Sequence, residues 1–246
     1  MKKRGLIVLQ KTILLARCKR AIQVVTVVWG LAGCGGGGGG ESPAPTFSLQ
    51  SAYANWVRNG SSDTYTVSGF CAGAVTIRRA ASTPAIFKTI VGFSVVESGS
   101  AQFTGCSNPA FNSSSSDSGT TYYDASYALI GSSWADEYTE FTTTRPMALP
   151  ASVVVGDQGA ISTLTNYTDN TKTTVNSTSI LSYTVEADTP ASTNSAILNL
   201  TIKDYDSANR LLQTIQDRYR LTSAGVLTSV SLNFVSDIGT FTYTRN

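Results

Sequence analysis

The chain has 246 residues, with 18 Lys and Arg against 16 Asp and Glu, four cysteines and no histidine. The missing histidine excludes Ser-His-Asp and Cys-His nucleophile systems and His-containing zinc sites. Seven basic residues (Lys2, Lys3, Arg4, Lys11, Arg17, Lys19, Arg20) precede Cys34 and every acidic residue follows it, so the chain from Cys34 onward carries 11 basic against 16 acidic residues, a net charge of −5 without the basic face that nucleic acid requires.

In chain order, the first element is a positive stretch followed by the apolar run Ala21 to Gly33, "AIQVVTVVWGLAG". Its length suits a secretory h-region of about 7 to 15 residues and falls short of a membrane span of about 20. The run ends in Leu31-Ala32-Gly33-Cys34, with small residues where a signal peptidase cuts. Positive n-region, apolar core and Leu-Ala-Gly-Cys box together resemble the lipobox signal of bacterial lipoproteins. The n-region departs from the pattern in being long, with Cys18 and a second apolar patch, "GLIVLQ". The resemblance implies that residues 1–33 are removed and that Cys34 is acylated, with a diacylglycerol on its thiol and a further acyl chain on its amino group. Several acyl chains give stable attachment where one is marginal, so the implied first partner is the lipid bilayer. By the same resemblance to Gram-negative lipoproteins, Gly rather than Asp at position 35 implies sorting to the outer membrane rather than retention at the inner one.

Residues 34–46 then read as an anchor and its tether. Six glycines, Gly35 to Gly40, spread over about 13 Å as flexible chain, and "ESPAPT" adds a stiffer spacer. In an oxidising envelope the two cysteines of the body, Cys71 and Cys106, are expected to form one disulfide. Closing a loop of that length is worth about 3 to 4 kcal/mol in the chain-entropy account. A catalytic thiol is the sharper alternative, but it has no histidine to activate it.

The body reads as all-β: mainly an antiparallel meander, closed as a sandwich or as a barrel or half-barrel, with a short N-terminal helix and a small disulfide-braced sheet. "SLQSAYANWVRNG" predicts the helix, with Ser48 as cap, Leu49, Tyr53, Trp56 and Val57 on one face and Gly60 at the stop. Strands over "DTYTVSGF", "GAVTIRRA", "FKTIVGFSVVESG" and "AQFTGC" complete a helix-plus-β subdomain at 47–107. The Ser-rich segment 108–121 has no periodicity and is expected as a linker or long loop. Residues 122–246 are expected to form an antiparallel β domain of about eight strands, including "ASVVV", "DEYTEFTTTR" and "SAILNLTIKDYD". In the last of these, Leu198, Leu200 and Ile202 alternate with polar residues. Leu232, Phe234, Phe241 and Tyr243 repeat the device. "SANRLLQTIQDRYRL" fits a helix or a strand. Neighbouring hairpins favour the strand, at the cost of an inward Asp217.

Three clusters come nearest to chemistry. Asp136, Glu137 and Glu140 supply carboxylates of the kind glycoside hydrolysis pairs at about 5 to 10 Å, with Asp136 and Glu140 expected to share a face with Tyr138. Nothing else in the chain supports such a pair, and a solvated acidic face is the favoured account. Asp204, Asp206 and Asn209 are a weak oxygen cluster for a hard cation, in residue types that also build turns. Gln216, Arg218 and Arg220 share a strand face and are expected to pair across strands with Glu186, Asp188 or Asp204.

No catalytic residue, cofactor or metal site is expected. Function is therefore expected to be non-enzymatic: an envelope binding or interaction module, or alternatively a carrier of a lipid or other apolar ligand. The carrier alternative resembles, in architecture alone, the half-barrel lipoproteins that receive acyl chains. What fills the interior separates the two readings. Packing of Leu198, Leu200, Ile202, Leu232 and Phe234 against one another favours a solid core, and a void between them favours the carrier.

Overall fold

A computed structural model describes residues 44–189 and 192–246. The predicted signal, Cys34 and the glycine tether lie outside the described residues.

Among the described residues there is one α-helix, α1 (Leu49–Asn59), and thirteen strands. These are β1 (Ser61–Gly69), β2 (Ala72–Arg79), β3 (Thr83–Phe87), β4 (Ile90–Thr104), β5 (Ser113–Asp124), β6 (Leu129–Trp134) and β7 (Glu137–Glu140), then β8 (Gln158–Tyr167), β9 (Val175–Ala187), β10 (Ser195–Tyr205), β11 (Leu211–Thr222), β12 (Leu227–Ser236) and β13 (Gly239–Arg245).

Each strand from β4 to β13 pairs antiparallel with its neighbour in sequence, β13 pairs with β1, and β1 with β2. Pairing of β2 with the second half of β4, from Ala72↔Thr104 to Arg79↔Glu97, closes a twelve-stranded barrel. β3 pairs with the first half of β4 and stands outside the ring. The half-barrel and open-sandwich alternatives therefore give way to a closed barrel.

Period-two patterning decides which way each wall faces. On β1, Asp63, Tyr65 and Val67 are buried while Ser62, Thr64, Thr66 and Ser68 are exposed. β9 buries Ser177, Ser179, Leu181, Tyr183 and Val185. Polar residues thus face out on these walls, the reverse of a membrane-spanning barrel, whose outward band is apolar.

Eight strands enclose a space that side chains just fill, and twelve enclose more. α1 takes up part of the surplus. Its Leu49 and Ala52 pack with Tyr183, Val185, Leu198, Leu221 and Leu227 on one wall, and its Val57 with Val95 and Tyr123 on the other. Full burial of a Leu or Val is worth about 1.5 to 3 kcal/mol, enough to hold an 11-residue helix that would be marginal alone. Ser48 makes no side-chain cap bond.

The Cys71–Cys106 disulfide is present. It sits just beyond Ala72↔Thr104, the last pair of the closing seam, among Phe70, Phe103, Phe111 and Phe241.

Three expectations need correction. Ser113–Asp124 is strand β5, not a linker. β4 pairs with it from Ser113 to Asp124 and β6 from Gly119 to Tyr123, so main-chain pairing and not apolar alternation holds its Ser-rich half. The segments 47–107 and 122–246 are parts of one sheet, joined by β1–β13 and β4–β5. Ala151–Val155 is loop, where Val153 makes a single bridge to Phe47. The ambiguous segment is β11, with Asp217 turned inward as the strand reading requires.

Candidate functional site

The alternation on β2 carries Val75 and Ile77 into the lumen and, at the next inward position, Arg79. Its register partner across the closing seam is Glu97. The Arg79 guanidinium is 9% exposed and lies 3.1 Å from Glu97. Its Nη2 also donates to the Tyr123 hydroxyl at 2.9 Å. Its plane lies 3.6 Å from the ring of Trp56, which α1 delivers from above, and Trp56 meets Tyr219 edge-on at 5.1 Å. Burial opposes the charge on Arg79, but Tyr123 and Glu97 outweigh it and keep the group cationic.

Across the lumen β11 supplies Asp217, whose carboxylate accepts the hydroxyl of Tyr219. Burial lifts this carboxyl to about 6, against the opposing pull of the Tyr219 hydrogen bond and the Arg79 charge. Burial and the neighbouring Asp217 push the Tyr219 phenol up as well. Two further contacts line the same wall, Arg245 with Asp63 at 2.8 Å and the Tyr65 hydroxyl with Ser229 at 2.8 Å.

These groups surround two adjoining chambers of about 170 and 200 Å³. The two share Trp56, Arg79, Glu97, Ile202, Asp217 and Tyr219. Ile202, Leu232 and Phe234 line the inner chamber; Leu200 and Ile202 line the outer one, which reaches Tyr127 and Met147 at the helix end. Leu198 and Leu200 also belong to the packed cluster under α1, and Ile202, Leu232 and Phe234 to the cluster at the disulfide end, so the chambers lie between packed walls. A larger depression of about 600 Å³ on the barrel wall is floored by Thr76, Ser98, Ser100 and Ser116. It is open and polar, so it encloses nothing.

The residues singled out from the sequence do not converge here. Glu137 faces inward beside Thr139 (3.3 Å). Glu140 lies on the opposite face, 3.3 Å from Lys88 and 2.9 Å from Lys172, with Tyr138 donating to it at 3.2 Å. Burial works against its charge, but the two lysines hold its carboxyl below the usual range. Asp136 lies in the turn before β7. Carboxylates on opposite faces of one strand do not form a hydrolytic pair.

The cation cluster is divided in the same way. Asp204 is inside the barrel and takes Gln213 Nε2 at 2.5 Å and the Ser179 hydroxyl. Asp206 caps the following turn, accepting Arg210 Nε at 2.8 Å and Ala208 N at 2.9 Å. Asn209 is in that turn with φ 57°. Among the described residues, no group of three or more His, Cys, Asp or Glu is placed to hold a metal ion. Arg218 and Arg220 do pair across strands, with Glu186 and Asp188, each at 2.7 Å.

Arg79, Glu97 and Tyr123 were not singled out in the sequence, and Trp56 was read only as part of a helix face. The signal for Arg79 was available, since in "AVTIRR" it falls in phase with Val75 and Ile77. The signal for its partners was not, because they come from strands and a helix whose pairing no local pattern encodes.

The chain matches no family model, no curated protein and no solved structure.

Proposed function

We propose that this is a lipid-anchored protein of the outer membrane of a Gram-negative envelope that holds a small, mostly apolar molecule inside its barrel, without catalysing a reaction on it. The observation that carries the reading is the pair of chambers lined by Leu200, Ile202, Leu232 and Phe234, the residues whose packing separates a solid module from a carrier. An engineered apolar cavity of about 150 Å³ holds benzene, so chambers of this size suit one ring or a short chain rather than a diacyl lipid. The lipobox and its tether supply the address. The chamber walls offer buried charges that are already paired.

Native mass spectrometry of the chain expressed to the periplasm with Cys34→Ser, read beside its denatured mass, tests the proposal. The expected result is extra native mass matching a small organic compound, or capture of one offered in excess. A native mass that stays bare with every apolar probe would overturn the binding reading. The acyl anchor is tested separately: the unaltered chain should incorporate labelled palmitate, and Cys34→Ser should not.

A second reading, an interaction module for another envelope protein, is favoured by one feature. Ile86 and Val91 face each other across the β3–β4 hairpin and are each 69% exposed. Ile86→Ser/Val91→Ser should abolish co-purification of such a partner while leaving the barrel's melting temperature unchanged.

A further inference from the structure

On the inward face of β11, Ile215, Tyr219 and Leu221 are buried, whereas Asp217 between them keeps part of its surface. It lines both chambers. One carboxylate oxygen, Oδ2, accepts the Tyr219 hydroxyl. The other, Oδ1, has no hydrogen-bond partner among the described residues. Unlike Arg79 Nε and the Tyr243 hydroxyl, it is not sealed in by neighbouring atoms. The surface that Asp217 keeps therefore opens into the chambers.

The charges around that space leave one carboxylate over. Arg79 answers Glu97 at 3.1 Å and Arg245 answers Asp63 at 2.8 Å. Among the described residues no cation forms an ion pair with Asp217, and the Arg79 charge acts on it only from a distance. An opposite charge that reaches an enclosed carboxylate stabilises its ionised form. The inner chamber is also walled by Trp56, Tyr65, Tyr219 and Phe234, and aromatic faces favour a positive charge. A ligand carboxylate would only add to the excess.

Resting on the ligand-binding reading above, we propose that the chambers select a primary amine of about one ring or a short chain, whose ammonium donates to Asp217 Oδ1 while its apolar body lies against Ile202, Leu232 and Phe234. Tyr219 goes on holding Oδ2, so the carboxylate is oriented before the ligand arrives. The groups facing it are Arg79 of β2, Glu97 of β4, Asp63 and Tyr65 of β1, and Tyr219 of its own strand. Its register neighbours on β10 and β12, Leu200 and Leu232, carry no charge. With burial lifting the carboxyl to about 6, it is ionised above that pH and neutral below, so the preference for an amine follows the same course.

The test uses the chain expressed to the periplasm with Cys34→Ser and three probes of matched size: benzylamine, benzyl alcohol and ethylbenzene. Calorimetric titration at about pH 8 should show benzylamine binding at least tenfold more tightly than either neutral probe. At about pH 5, where benzylamine is still protonated and Asp217 is mostly not, its affinity should fall about tenfold while that of ethylbenzene holds. Asp217→Asn should erase the benzylamine advantage at both pH values and leave ethylbenzene within twofold of its original affinity. If that variant does not fold, the carboxyl carbon of Asp217 in the otherwise unaltered barrel decides. Its NMR titration should move to lower pH when benzylamine is bound, and an unmoved titration overturns the ion pair. Equal affinity for benzylamine and ethylbenzene overturns the amine assignment while leaving ligand binding intact. Benzyl alcohol binding as tightly as benzylamine overturns the positive charge. No binding by any probe removes the ligand-binding reading itself.

Discussion

At the disulfide end of the lumen, Phe70, Phe103, Phe234 and Tyr243 surround Phe241 with ring centroids 5.5 to 6.5 Å apart. At the helix end the same barrel is filled by one inserted helix and by charged groups, Arg79, Glu97 and Asp217, with chambers left between them that reach as far as Phe234 and Tyr243. The difference follows from geometry. Where β1, β2, β4, β12 and β13 converge on the disulfide, aromatic side chains span the gap. Farther along the wide ring they do not, so a helix and hydrogen-bonded polar groups take their place. Rings packed on one another specify a shape tightly. Paired charges around a space leave room for something else.

The largest expected effect falls on the packed end. Phe241→Ala should cost about 3 to 5 kcal/mol of unfolding free energy in urea, as large aromatic truncations in tight cores do. The same measurement on Leu200→Ala, at the chamber wall, should come nearer to about 2 kcal/mol, because it enlarges a void instead of opening one. Equal losses would erase the distinction between the two ends. Next comes the staple. Cys71→Ser/Cys106→Ser should lose about 3 to 4 kcal/mol, with hydrogen exchange rising first along Ala72↔Thr104 and its neighbours in the closing seam.

The third prediction concerns pH. Burial lifts the Asp217 carboxyl to about 6 in the folded chain, above the ordinary aspartate value of about 3.9. Its folded pKa is raised, so the folded state holds the proton more tightly than the unfolded state does. The stabilising contribution is full below about pH 4 and is lost as pH rises through 6. A shift of about two units corresponds to about 3 kcal/mol. Asp217→Asn should flatten the dependence of stability on pH between 4 and 7, leaving Arg79, Glu97 and Asp63 as the charges that faced it. An unchanged slope would mean that the carboxyl is not buried as described. The smallest effect belongs to the outer wall: Arg218→Gln, which breaks the pair with Glu186, should change stability by less than about 1 kcal/mol.

Much of the fold could be read from the chain. Alternation in "SAILNLTIKDYD" and "GTFTYTRN" marks half-buried strands, and Leu49, Trp56 and Val57 mark one helix face, because one-sided burial writes a period directly into sequence. The Ser-rich β5 could not be read that way. Its Ser-rich half is held to β4 through the main chain and carries Ser113, Ser115 and Asp117 at its inward positions, so burial left no apolar trace. Closure itself was equally hidden, since the β2–β4 and β1–β13 pairings join segments far apart in the chain. The candidate site depends on that closure. Arg79 meets Glu97 only across the seam, and Trp56 reaches Arg79 only because α1 lies in the mouth of a closed ring.

The most direct test of the central claim, that the helix end encloses a space and the disulfide end does not, is methyl NMR of the chain with Leu, Ile and Val labelled, titrated with ethylbenzene. The account predicts saturable shifts at Leu200, Ile202 and Leu232, and none at Leu198 or Val67. Shifts spread evenly over all of these methyls, or absent from all of them, would contradict it.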